Sequence, residues 1–105
     1  MKDYLIIATR DPGEGALNWP AELAGALSAD GTAVTLLLAE NAVLACRPAF
    51  TGRNLGKLAD EGVEILADRF ALDERGIGAT APGIAVTDLG AAVDMLAAGR
   101  KAVWI

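Results

Sequence analysis

The chain has 105 residues, enough for one domain and too few for two. Hydrophobic residues make up 53%, which excludes a disordered chain, and nine basic against fourteen acidic residues leave a net charge of −5, which disfavours nucleic acid and anionic membrane surfaces as partners. Histidine is absent and there is one cysteine, so imidazole acid–base chemistry, most zinc sites and an intrachain disulfide are excluded.

Residues 4–8, YLIIA, form an unbroken apolar run with β-branched members, as expected for a strand buried on both faces of a parallel sheet. The run is too short for a secretory signal and is closed by Arg10 and Asp11. No stretch approaches the roughly 20 apolar residues that span a bilayer, so the expected location is the cytoplasm. A Pro/Gly loop follows. Asn18 is then expected to cap a helix that tolerates Pro20 in its first turn, with Trp19, Leu23 and Leu27 as its inward seam and Gly31 beyond its end.

The second strand is expected over 33–39, AVTLLLA. Glu40 and Asn41 open a short helix through Cys46, stopped by Pro48. Asn54 is expected to cap another, with Leu55, Leu58 and Ala59 facing inward. Strand three spans 62–67, GVEILA, and Asp68 stands at the N-cap of a helix that Gly76 ends. A glycine-rich loop leads to a strand at 84–86. Thr87 is expected to cap a last helix whose inward stripe is Leu89, Val93, Leu96 and Ala97, and 101–105, KAVWI, forms the fifth strand.

Strands alternating with helices predict an α/β fold over 1–105: a three-layer α/β/α sandwich with a parallel sheet of about five strands and a flavodoxin-like appearance. Ligands of such sheets gather beyond the carboxyl ends of the strands. The candidate ligand-binding residues are therefore Thr9, Arg10, Asp11, Glu40, Asn41, Asp68 and Arg69. Gly13-Glu14-Gly15, with Glu40 ending the second strand, partly matches a dinucleotide fingerprint, but Asn18 stands where the third glycine belongs. A plain turn is the simpler reading, and no cofactor is expected.

Cys46 is the one thiol nucleophile the chain can offer. It reads first as a small buried hydrophobe; adjacent Arg47 favours a thiolate, while its place late in a helix opposes one. Asp68 reads first as a cap, and Arg69, Glu74 and Arg75 as a solvated helix face. Small size, an alanine-rich core and Trp104 on the last strand predict self-association.

Four segments in order, YLIIATRDP, VTLLLAENAVLA, GVEILADRFALDERGI and DLGAAVDMLAAGRKAVWI, resemble the DsrE/DsrF/DsrH family, also known as the TusD, TusC and TusB sulfur-relay proteins. The third segment is the most specific, with its Glu74-Arg75-Gly76-Ile77 ending. The resemblance implies a five-stranded parallel sheet, assembly with copies or related subunits, and persulfide sulfur passed between a protein donor and acceptor. The sulfur-carrying branch has its cysteine just after the third strand; that place falls at or next to Asp68, and no cysteine is there. The leading expectation is thus a DsrE-like chain acting as a non-catalytic subunit or small-ligand binder. The alternatives are a sulfur carrier using Cys46 and a flavodoxin-like nucleotide-binding protein.

Overall fold

The computed structural model describes residues 3–50 and 55–105; the cap expected at Asn54 lies outside them. Five strands, β1 (Tyr4–Ala8), β2 (Val34–Leu38), β3 (Glu64–Asp68), β4 (Ile84–Thr87) and β5 (Lys101–Trp104), form one sheet in the order β4-β3-β2-β1-β5. Every pairing is parallel, and Ile6, Leu36 and Ile65 lie in register across the centre. All five residues of β2 are buried, as the unbroken apolar run requires. Helices α1 (Asn18–Ala29), α2 (Leu55–Asp60), α3 (Arg69–Glu74) and α4 (Gly90–Ala97) make the crossovers, with a 3-10 segment over Glu40–Cys46 and a shorter one over Gly13–Gly15. The expected α/β fold with a five-stranded parallel sheet is what forms.

The two sheet faces are covered unequally. Ile6, Ala8, Leu36, Leu38, Ile65 and Ala67 face the larger cluster, where α1, α2, α3 and the 3-10 segment contribute Ala21, Ala24, Leu55, Leu58, Leu72 and Cys46. Leu5, Ile7, Leu37 and Leu66 face the other way, and there Ala92 and Met95 of α4 complete a much smaller cluster. Alternation along each strand sends neighbours to opposite faces, so the split follows directly from the pleat. Among the described residues no helix is long and apolar enough to cross a membrane.

Four local expectations are corrected. Asn18 is the first residue of α1 rather than its cap; Leu17 holds the cap position and no side chain bonds there. In α1 the residues packed tightest are Pro20, Ala21 and Ala24, while Leu23 and Leu27 are half-buried and Trp19 is 58% exposed. Alanine lets the helix lie close on the sheet, which turns the bulky Trp19 outward. In α4 the expected inward stripe is turned to solvent: Leu89, Val93 and Leu96 are 50%, 65% and 47% exposed, and Ala92 takes the sheet-facing place. Thr87 belongs to β4, and the first turn of α4 is tied instead by Asp88, whose Oδ1 accepts from Gly90 N at 2.8 Å.

Other boundaries follow from the expected chemistry. Gly76, at φ 67°, ends α3 in the left-handed region, with its N–H bonded to Asp73 O and that of Ile77 to Leu72 O. On the face that α4 covers, Thr35 is the buried polar exception. Its hydroxyl donates to Glu64 Oε1 at 2.6 Å and accepts from Arg100 Nη1 at 2.6 Å, so its polar atom is fully used.

Candidate functional site

Parallel pairing brings the ends of all five strands to one edge. Here the crossovers after β1, β2 and β3 run along the larger cluster, whereas the one after β4 carries α4 to the opposite face. The neighbours β3 and β4 therefore send their exits to opposite sides, the topological arrangement at which open α/β sheets bind ligands. Asp68 and Thr87, paired in register, end the two strands there.

Asp68 ends β3 and is 4% exposed. Its Oδ2 accepts from Ala71 N at 3.2 Å, so it caps α3 as expected. Arg69 is exposed and lies 3.8 Å from Asp73 one turn on, a surface pair of small value.

Next along the edge, Glu40 follows β2 at φ 49°, a left-handed conformation that side chains rarely adopt. Asn41 beside it meets α3: Arg75 Nη2 and Nε donate to Asn41 Oδ1 at 2.8 and 3.3 Å, and Arg75 Nη1 donates to Ala71 O at 3.0 Å. The structure thus joins the loop after β2 to the helix that Asp68 caps. Sequence reasoning placed Arg75 on a solvated face and missed this role. The signal available was a fork-shaped donor in the last turn of a helix whose carbonyls lack partners.

The loop after β1 holds the remaining candidates. Thr9 N donates to Ile105 O at 3.2 Å, and the Thr9 hydroxyl approaches the same carbonyl at 3.4 Å. Arg10, Asp11, Gly13 and Ala16 line an open cleft of about 490 Å³. The carboxylate of Asp11 accepts from Gly13 N at 2.8 Å. That N–H is one a phosphate would need, and a carboxylate on it opposes a second anion. Gly13–Gly15 forms a 3-10 turn, and α1 begins only at Asn18, so the glycine pair does not open the helix as a dinucleotide turn does. The carboxyl edge thus collects Thr9, Arg10, Asp11, Glu40, Asn41, Asp68 and Arg69 along one rim, but the observed hydrogen bonds couple only part of them.

Cys46 is elsewhere in chemical terms. It closes the 3-10 segment, is 0% exposed, and sits in the larger cluster. Its carbonyl accepts from Ala81 N at 2.8 Å, which holds the glycine-rich loop across it. Burial pushes the thiol up to about 12. Arg47 is exposed and gives its Nε–H to Leu44 O at 3.0 Å. Burial therefore decides the thiol's state, against the thiolate that Arg47 was expected to favour.

No family model and no curated protein matches the sequence. Solved structures do match. The chain is similar to the YchN protein from E. coli, with a TM-score of 0.86 and 21% identity over 100% of both chains. It is similar to MTH1491, a protein of unknown function from Methanobacterium thermoautotrophicum, with a TM-score of 0.84 and 15% identity over 99% of this chain and 100% of that one. BT1422, a conserved protein of unknown function from Bacteroides thetaiotaomicron, has a TM-score of 0.66 and 22% identity over 98% and 95%. At these identities the likeness concerns the fold, and that fold is DsrE-like.

Proposed function

We propose that this chain is a DsrE-like protein that works without a sulfur-carrying thiol, as a non-catalytic subunit that binds a small ligand at the carboxyl edge of its sheet. The observation that carries this reading is the state of its one cysteine. A persulfide carrier needs a thiol that a partner protein reaches and that ionises near neutral pH. Cys46 is fully buried and pushed up to about 12, while the strand-end position of a DsrE-type carrier holds Asp68, engaged as a cap. The rim of Arg10, Asp11, Glu40, Asn41, Asp68 and Arg69 offers charge and hydrogen bonds without a nucleophile. "Subunit" implies assembly, with copies of this chain or with related chains. Its setting would be the cytoplasm.

The test is persulfide loading. Native protein incubated with a low-molecular-weight persulfide donor should show no mass gain of one sulfur atom, and Cys46 should react with a thiol reagent far more slowly than in denaturant. A stable sulfur adduct on native protein would overturn the reading and restore Cys46 as a carrier.

A further inference from the structure

The last two elements, α4 and β5, are lightly anchored. In α4 only Ala92 is buried, with Met95 half-buried beside it. In β5 Lys101, Ala102 and Trp104 are exposed, and only Val103 and the following Ile105 pack on the larger cluster. β5 is an edge strand, so it is bonded on one side alone, with Lys101 N donating to Asp3 O at 2.9 Å and Ile105 N to Ile7 O at 2.8 Å. A unit with so little buried apolar surface opens before the rest of its domain.

One polar connection offsets this. Arg100, in the turn between α4 and β5, reaches across β1: its Nη1 donates to the Thr35 hydroxyl on β2 at 2.6 Å, and that hydroxyl donates to Glu64 Oε1 on β3 at 2.6 Å. Thr35 is buried, so its hydroxyl bridges a cation and a carboxylate away from water, and both bonds are charge-assisted. At its far end the same unit touches the candidate rim. The Ile105 carbonyl accepts from Thr9 N and Thr9 Oγ1, at 3.2 and 3.4 Å, and Thr9 leads into the loop that carries Arg10 and Asp11. We infer that α4 and β5 form a strap, latched by Arg100 on Thr35, whose release loosens the loop after β1 at the opposite end of the sheet. Closed, the strap fixes Thr9 and with it the wall of the cleft that Arg10 and Asp11 line; open, it frees them. A ligand that binds the fixed wall draws the strap closed, and the latch sets the fraction of molecules ready to bind. That regulatory consequence rests on the reading that this rim binds a ligand; the strap itself does not.

Amide hydrogen exchange of the full chain, followed residue by residue by NMR without any ligand, tests the strap, with Thr35→Val and Arg100→Met beside the wild type. Valine keeps the shape and strand preference of threonine but removes the hydroxyl, and methionine keeps an apolar stem without the donor. In both variants the amides of Lys101, Ile105 and Thr9 should lose protection together, by roughly tenfold, while those of Leu36–Leu38 and Ile65–Ala67 keep theirs. Lys101→Met, which removes the neighbouring exposed charge, should leave the protection of Ile105 and Thr9 unchanged. Lost protection at Lys101 alone would mean that Arg100 steadies only its own turn, and would overturn the strap. An equal loss across β2 and β3 would make the contact a general stabiliser and overturn it too, as would variants that exchange like the wild type. If Thr35→Val fails to fold, Arg100→Met, at a half-buried side chain, decides. With no ligand present, none of these outcomes touches the reading that the rim binds one, which persulfide loading tests separately.

Discussion

Arg75 grips Asn41 with two donors on one oxygen, Nη2 at 2.8 Å and Nε at 3.3 Å, and with its third nitrogen closes on the carbonyl of Ala71. One guanidinium thus ties the loop after β2 to the first turn of α3, across 34 residues of sequence. The contact holds two arms of the carboxyl edge at a fixed spacing.

Removing that tie should loosen the edge more than it weakens the fold. Arg75→Ala should cost about 1 kcal/mol, since a half-exposed charged hydrogen bond is partly replaced by water. Amide hydrogen exchange across Glu40–Cys46 should speed up, and Arg75→Lys should restore little of the protection because an ammonium lacks the fork. Unchanged exchange in Arg75→Ala would show that the loop is held by other contacts.

The buried thiol gives a stability signature at high pH. Cys46 is pushed from 9.0 to about 12 by burial, so between those values the unfolded chain loses a proton that the native protein keeps. The sign is unfavourable to folding: the stability present below about pH 9 falls as pH rises through the window, by up to about 1.4 kcal/mol per pH unit. Urea unfolding of wild type and Cys46→Ala across this range should give curves that converge as pH rises. Parallel curves would mean that the thiol titrates alike in both states.

At Asp68, loss of the cap should be visible in isolation. Asp68→Ala should cost about 1 kcal/mol in urea unfolding, and Asp68→Asn less, because an amide oxygen still accepts from Ala71 N. Asp68→Cys places a thiol at the positive end of α3, where its thiolate is favoured. Position 68 is 4% exposed, so that variant should take up persulfide sulfur only from a small donor, where the parent takes up none. An exposed but inert thiol at this position would remove the proposed match between this loop and the DsrE-type carrier loop.

Glu40 holds a left-handed conformation that costs a side chain roughly 1 kcal/mol or more. Glu40→Gly should therefore leave the protein as stable as the parent or raise its midpoint slightly, against the usual penalty for glycine. If a ligand binds at this edge through the Glu40 carboxylate, the same variant separates strain from function: stability holds while binding falls. A clear loss of stability would mean that the side chain repays the strain through contacts of its own.

The strands were legible because their signal is local. An unbroken apolar run such as Val34–Leu38 is buried on both faces wherever it lies in a parallel sheet, and Asp68 and Gly76 mark a helix by chemistry confined to its own ends. Alternation of strands and helices then places Thr9, Arg10, Glu40, Asn41 and Asp68 at one edge before any contact is known. Which side of a helix is buried is a different kind of fact. Leu89, Val93 and Leu96 form as good a stripe as any in the chain, yet α4 lies on the sheet through Ala92 and Met95, because the crossover from β4 to β5 sets its approach and small residues lie closest. The same holds for Cys46, sealed by a loop held through Ala81, and for Arg75, whose partner Asn41 lies in another segment. The sequence by itself determined the strands, the burial of β1, β2 and β3, and the edge on which the candidate residues gather. Only the tertiary structure decided which apolar face stays open, whether the thiol is reachable and which polar groups meet, because each of these depends on residues brought together from distant parts of the chain.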